Sequence, residues 1–156
     1  MLSEEQFTDY AKRYMDMVFR VAFHYLRSRA DADDVTQNVL LKLYREPKPF
    51  AGEAHVKHWL LRVTVNECRH ILRSPWRKAL PIDEALDGFM LPDGEHVELL
   101  DAVLRLKPAY RAAIYLYYYE DCTTEEIAKL LGLPRGTVLT HLRRAREALK
   151  KDLTEA

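Results

Sequence analysis

Four groups of side chains in this sequence have types and spacings that could do chemistry. Asp33 and Asp34 are adjacent carboxylates, the smallest set for acid–base work or for a metal. His55, His58, Cys68 and His70 carry the atoms that bind zinc. Phe50 stands ahead of a stretch bearing Lys57, Arg62, Asn66, Arg69 and Arg73, and a loop aromatic beside amide and guanidinium groups can capture an unstacked base. Arg135, Arg143, Arg144, Arg146, Lys150 and Lys151 crowd the C-terminal stretch against the single acid Glu147, a pattern suited to nucleic-acid phosphates.

Spacing disposes of the first two. The aspartates open a predicted helix, where the dipole favours acids, and no nucleophile–base pair or phosphate-binding loop completes a catalytic set. Cys68 and His70 lie two apart on a predicted helix and do not face one another, and His58 and Cys68 are not on one turn. No catalytic residue, metal or cofactor is expected. Cys68 and Cys122 form no CxxC pair and read as buried free thiols in a reducing compartment.

The charges balance to a formal net of zero, so a generally sticky nucleic-acid binder is excluded and the distribution of charge carries the information. The C-terminal helix is basic. Residues 79–104 hold Asp83, Glu84, Asp87, Asp93, Glu95, Glu98 and Asp101 with no lysine or arginine. No apolar run reaches the roughly 18 residues of a membrane span, and the start MLSEEQFTDY lacks the features of a signal peptide, so a cytoplasmic protein is expected.

The elements that must position these groups read as helices throughout. Ser3 and Gln6 make a capping box for a helix reaching about Arg27, with a break allowed near Tyr14 to Asp16. Asp31 caps a second helix, Ala32 to Arg45, which buries Val35, Val39, Leu40 and Leu43 and shows Asp33, Asp34, Gln37, Asn38, Lys42 and Arg45 outward. Two prolines and a glycine make 46–53 a loop, and a long helix follows from about Ala54 to Arg73. Trp59 reads as core, while Phe50 suits core or base capture equally. Residues 76–94 form an acidic linker broken by Pro81, Gly88, Pro92 and Gly94. Helices from Glu95 to Leu106 and from Ala109 to Tyr119 come next.

The last stretch is the most specific. Thr123 and Glu126 form a capping box, Gly132-Leu133-Pro134 breaks the helix, and Val138, Leu142, Ala145 and Leu149 recur at steps that make one buried stripe. Ala128, Gly132 and Val138 occupy the crossing, turn and buried positions of a helix-turn-helix, whose second helix projects a cationic face into a major groove. The fold expected is all-α: a helical domain over 1–75, the acidic linker 76–94, and a helix-turn-helix domain over 95–156.

The order of these parts resembles the extracytoplasmic-function class of bacterial RNA polymerase sigma factors, of the sigma-70 family. DADDVTQNVLLKLYR (31–45) is similar to that family's core-polymerase-binding helix, 50–73 to its promoter-melting segment, and 106–149 to its C-terminal promoter-binding domain. The resemblance implies a non-enzymatic protein that directs core RNA polymerase to promoters. Asp33, Asp34, Gln37, Asn38 and Leu41 would meet the clamp helices of the largest polymerase subunit, and the C-terminal domain the flap of the second. Phe50, Gly52, Glu53, Ala54 and Asn66 would form the pocket for a flipped base of the downstream promoter element, with Lys57, Arg62, Arg69 and Arg73 on single-strand phosphates. Arg135, Gly136, Thr137, Thr140, His141, Arg143 and Arg144 would contact the upstream element as duplex. An anti-sigma factor is a further implied partner, and it could tether the chain at a membrane into which the chain does not itself insert. The family's recognition helix often reads Thr-Val-Lys/Arg-Ser-Arg; here Leu139 and His141 replace two cations, which bears on the promoter sequence read. Two other readings stay open on the residues: a stand-alone helix-turn-helix regulator, and a sigma-like adaptor that binds polymerase without DNA.

Overall fold

The computed structural model describes residues 1–74 and 97–155, and every regular element among them is an α-helix. The acidic linker 76–94, with Glu95 at the expected start of the next helix, lies outside the described residues. The chain divides into two compact units, Met1–Lys78 and Ala79–Ala156.

In the first unit α1 spans Glu4–Leu26, α2 Arg29–Arg45 and α3 Glu53–Leu72. The capping box expected at Ser3 is present: the Gln6 backbone N–H donates to Ser3 Oγ at 3.1 Å and the Ser3 N–H to Gln6 Oε1 at 3.0 Å. The break allowed near Tyr14 to Asp16 does not occur. No glycine or proline interrupts 4–26, and Met17 and Val18 are buried just beyond that point. Arg27 ends α1 in the left-handed region at φ 55°.

The cap of α2 is a correction. Ser28, not Asp31, caps the helix: its Oγ accepts from the Asp31 N–H at 3.1 Å, and α2 begins at Arg29, three residues before the expected start. Asp31 still sits in the first turn, where the dipole favours it. The sequence offers two good caps three residues apart, and the tight reversal at Arg27 selects the first.

The three helices pack on one another. Val18, Val21, Ala22, Phe23 and Leu26 of α1 meet Val35, Val39 and Leu43 of α2 and Val56, Leu60, Val65 and Cys68 of α3, all fully or almost fully buried. Leu40, expected in this core, is only half-buried. Gly52 caps α3 at φ 155° without a side-chain bond. The loop is instead pinned from inside the helix, where the Ala51 N–H donates to His55 Nδ1 at 2.9 Å.

In the second unit α4 spans Val97–Leu104, α5 Pro108–Tyr118, α6 Thr124–Leu131 and α7 Arg135–Glu155. Helix α7 is the hub, with α4, α5 and α6 all packed against it. Pro108 occupies the first turn of α5, where its missing N–H costs nothing. Arg111 is buried, its Nη1 donating to the Leu106 carbonyl at 2.5 Å, so one arginine is spent inside the core. The Thr123–Glu126 capping box closes with bonds of 3.1 and 3.0 Å, and Gly132 ends α6 at φ 66°, with Leu133 N–H on the Ala128 carbonyl at 3.0 Å. The Pro134 carbonyl opens α7 by accepting from Thr137 and Val138. The boundaries of the helix-turn-helix are therefore fixed by local capping bonds. Thr123→Ala removes one cap bond and is expected to cost about 1 kcal/mol, read as a lower urea midpoint with an unchanged m-value.

Candidate nucleic-acid and partner interfaces

Helix α2 turns one face inward and leaves the other to solvent. Asp33, Asp34, Gln37, Asn38 and Leu41 are all exposed, and Leu41 is 45% exposed. Tyr44, one turn beyond Leu41, is 42% exposed and meets Phe7 edge-on at 5.3 Å. Two large apolar side chains next to a row of acids and amides make a surface suited to a protein partner. Tyr44 is absent from the residues expected on this face, although its three-residue spacing from Leu41 was the available signal. A cleft of about 330 Å³ runs between α2 and α3, lined by Asn38, Leu41, Lys42, Arg45, Glu46, Trp59 and Glu67. Lys42 and Glu67 bridge the two helices at 2.5 Å, which ties the exposed face of α2 to α3.

Helix α3 supplies the second surface. Arg62, Asn66, Arg69 and Arg73 recur at steps of four, three and four, and at about 100° per residue they form one stripe. Arg62, Asn66 and Arg73 are exposed and Arg69 is half-buried. His55 and Trp59 continue the same side toward the N-terminus. Phe50 packs edge-on against both, at 5.2 Å from the His55 ring and 5.6 Å from that of Trp59. Phe50 is half-buried and Trp59 buried, so the loop aromatic is held at the head of the cationic stripe. Gly52 and Ala54 are exposed beside it, and a Cβ at Gly52 would meet nothing within 4 Å.

Two expected members do not join this stripe. Glu53 forms an ion pair with Arg13 of α1, itself bonded to Asp9 at 2.8 Å. Lys57 lies five residues before Arg62, well over 90° around the helix from the stripe. His55 holds the loop rather than standing as a free imidazole, and among the described residues no group of three His, Cys, Asp or Glu side chains could hold a metal ion.

Helix α7 supplies the third surface. Val138, Leu142 and Ala145 are buried, while Leu149, expected in the same stripe, is only half-buried; Gly136, Arg143 and Arg144 are exposed, and Thr137 and Thr140 are half-buried. Arg135 is exposed but tied back, its Nε donating to Thr124 Oγ1 of α6 at 3.3 Å. The Thr140 hydroxyl donates to the Gly136 carbonyl at 3.0 Å. Arg146 leaves the cationic cluster altogether: its Nε donates to Tyr118 Oη at 2.7 Å, and its guanidinium lies 5.8 and 5.9 Å from the Tyr117 and Tyr118 rings.

His141 is half-buried, with its ring 4.7 Å from that of Tyr110 and its Nδ1 buried without a hydrogen-bond partner. Burial first, and then the Arg144 guanidinium, hold this imidazole below the ordinary histidine value. It is neutral near pH 7 and adds no cation to the face. The unfolded chain therefore takes up this proton first, and the second unit loses stability as pH falls below about 6.5. Between about pH 7.5 and about pH 5.5 the melting temperature of the wild type is expected to fall further than that of His141→Gln. Parallel falls would show that another group is responsible.

Comparison with known proteins matches both units of the chain to one family. The sigma-70 region 2 family model matches residues 10–78, and the sigma-70 region 4 model matches residues 96–149. The ECF RNA polymerase sigma factor SigM of Mycobacterium tuberculosis is 30% identical over 145 residues, covering 90% of this chain and 73% of that protein. The ECF RNA polymerase sigma factor SigW of Bacillus subtilis is 26% identical over 174 residues, covering 97% and 91%. Among solved structures, the sigma factor RpoE of Bartonella quintana, crystallised with the anti-sigma factor NepR, superposes with a TM-score of 0.70 at 20% identity, covering 95% of this chain and 96% of that one. CnrH, solved with the cytosolic domain of CnrY, gives 0.65 at 21% identity, covering 98% and 90%. With a region 2 fold bearing the α2 and α3 surfaces and a region 4 fold bearing α7, the chain belongs to the extracytoplasmic-function class of the sigma-70 family of bacterial RNA polymerase sigma factors.

Proposed function

We propose that this sigma factor docks on core RNA polymerase through the exposed face of α2, holds an extruded base of the downstream promoter element at the head of α3, and reads the upstream element as duplex with α7. The observation that carries this reading is the α3 stripe. A helix bearing Arg62, Asn66, Arg69 and Arg73 in one line, with Phe50 packed at its head, suits single-stranded DNA, which needs stacking and phosphate contacts together. A duplex-only regulator has no use for it. Flipping a base costs a few kcal/mol, which such a pocket offsets.

The α2 face would meet the clamp helices of the largest subunit through Asp33, Asp34, Gln37, Asn38 and Leu41, with Tyr44 at its edge. The second unit would meet the flap of the second subunit. Arg143 and Arg144 supply duplex phosphate contacts that fix register, while Gly136, Thr137 and Thr140 let the helix approach the bases. The protein performs no chemistry itself; the polymerase does. It acts in the cytoplasm, and among the described residues no helix is long and apolar enough to cross a membrane. An anti-sigma protein is its expected inhibitor, in keeping with the complex in which the similar sigma factor RpoE was solved.

Footprinting tests the assignment. The chain mixed with core polymerase should protect two separated promoter elements and render the downstream one reactive to single-strand probes. Protection of a duplex site by the chain alone, unchanged by core polymerase, would favour the stand-alone regulator instead.

A further inference from the structure

The strongest unassigned feature of α7 is an exposed leucine, and its role rests on α7 being the upstream-element reader. Leu139 is 45% exposed, one residue after the fully buried Val138. A single exposed leucine is ordinary on a protein surface. What distinguishes this one is the state of its neighbours.

Several polar groups near Leu139 on the first turns of α7 are already engaged. Arg135 spends its Nε on Thr124, and Thr140 spends its hydroxyl proton on the Gly136 carbonyl. His141 is turned onto Tyr110 with Nδ1 buried. Gly136 has no side chain, and a Cβ built there would meet nothing within 4 Å, so the backbone is open to close approach on that side. Between Arg135 and Arg143 the one side chain that is exposed rather than half-buried or buried is therefore apolar, the isobutyl group of Leu139, with Thr137 and Thr140 half-buried beside it. The one apolar group that base pairs display in the major groove is the 5-methyl of thymine.

The geometry points to Leu139 as a specificity-determining residue that selects a thymine in the upstream element through its 5-methyl group. Arg143 and Arg144, one turn on, set the register of the helix on the backbone. Discrimination at this step comes from apolar contact, not from a hydrogen-bonding fork, so it is modest at one position and insensitive to salt.

The test uses the full chain with core polymerase on a pool of promoters randomised in the upstream element, read by sequencing the transcripts. The wild type should enrich a thymine at one position. Replacing that thymine with deoxyuridine, which lacks only the methyl, should lower initiation about fourfold, the worth of one buried methyl-sized group. Leu139→Ala should start weakly on both templates and no longer distinguish them. Leu139→Arg should shift the preference at that position to guanine, whose O6 and N7 accept a guanidinium fork. Equal deoxyuridine effects on the wild type and Leu139→Ala, or no thymine enrichment, would overturn the role of Leu139 while promoter-specific starts preserve the functional assignment. No promoter-specific start on any template would overturn both.

Discussion

Leu41→Asp is expected to weaken the affinity of this sigma factor for core RNA polymerase by about 30-fold or more. An apolar anchor at the centre of a protein interface is worth about 2–4 kcal/mol when removed, and every 1.4 kcal/mol is tenfold. The aspartate adds a charge to a surface that already carries Asp33 and Asp34, so repulsion within α2 and loss of the apolar contact act together. Leu41 is exposed, so the fold should not register the change beyond about 0.5 kcal/mol. Titration of labelled chain with core polymerase gives the affinity, and a melting curve of the free chain controls for folding. Tyr44→Ala should act in the same direction with a smaller effect, because Tyr44 shares its ring with Phe7. Unchanged affinity in Leu41→Asp would move the polymerase contact off this face of α2.

Asn66→Ala is expected to lower the rate of promoter opening by about 1–3 kcal/mol of base-holding energy, the worth of an amide paired with a base edge, a factor of roughly 5 to 150. Asn66 is exposed at the middle of the α3 stripe, so its removal leaves the core of the first unit intact. Its amide can both donate to and accept from the edge of an extruded base, which an arginine cannot. Opening is read by single-strand-specific modification of the downstream element. The decisive control is a template already mismatched there: the variant should start on it nearly as well as the wild type, since extrusion no longer has to be offset. A defect that persists on the mismatched template would place the role of Asn66 elsewhere. Lys57→Ala, off the stripe, should affect opening far less than Arg62→Ala or Arg69→Ala.

Much of this arrangement is legible in the sequence because it is local. Two capping boxes and the glycine that ends α6 depend on residues within one or two turns and form as their spacing dictates, while the α7 stripe buries Val138, Leu142 and Ala145 and leaves Leu149 half-buried. The helix-turn-helix is the best case, because every one of its boundaries carries its own signal. What escapes depends on partners distant in the chain. Asp31 is as good a cap as Ser28 until the reversal at Arg27 fixes which one begins the helix. Glu53 reads as a free acid until Arg13, forty residues earlier, pairs with it. Arg146 reads as one more cation until Tyr118 of α5 takes it, and His141 reads as an upstream-element contact until its packing on Tyr110 shows it half-buried, with burial and then Arg144 holding its imidazole below the ordinary value. Arg111 looks like a surface arginine, yet its guanidinium holds the Leu106 carbonyl inside the second unit. In each case the residue type is plain from the sequence and its free valence is not.

Together the chain and core polymerase should have a promoter specificity that neither has alone. Run-off transcription on a fragmented host genome with core polymerase, with and without the chain, followed by sequencing of the RNA 5′ ends, measures this directly. Discrete start sites should appear only with the chain, each preceded by the same two elements at a fixed spacing and abolished by Leu41→Asp. A start-site map identical with and without the chain, together with tight duplex binding by the chain alone, would contradict the assignment.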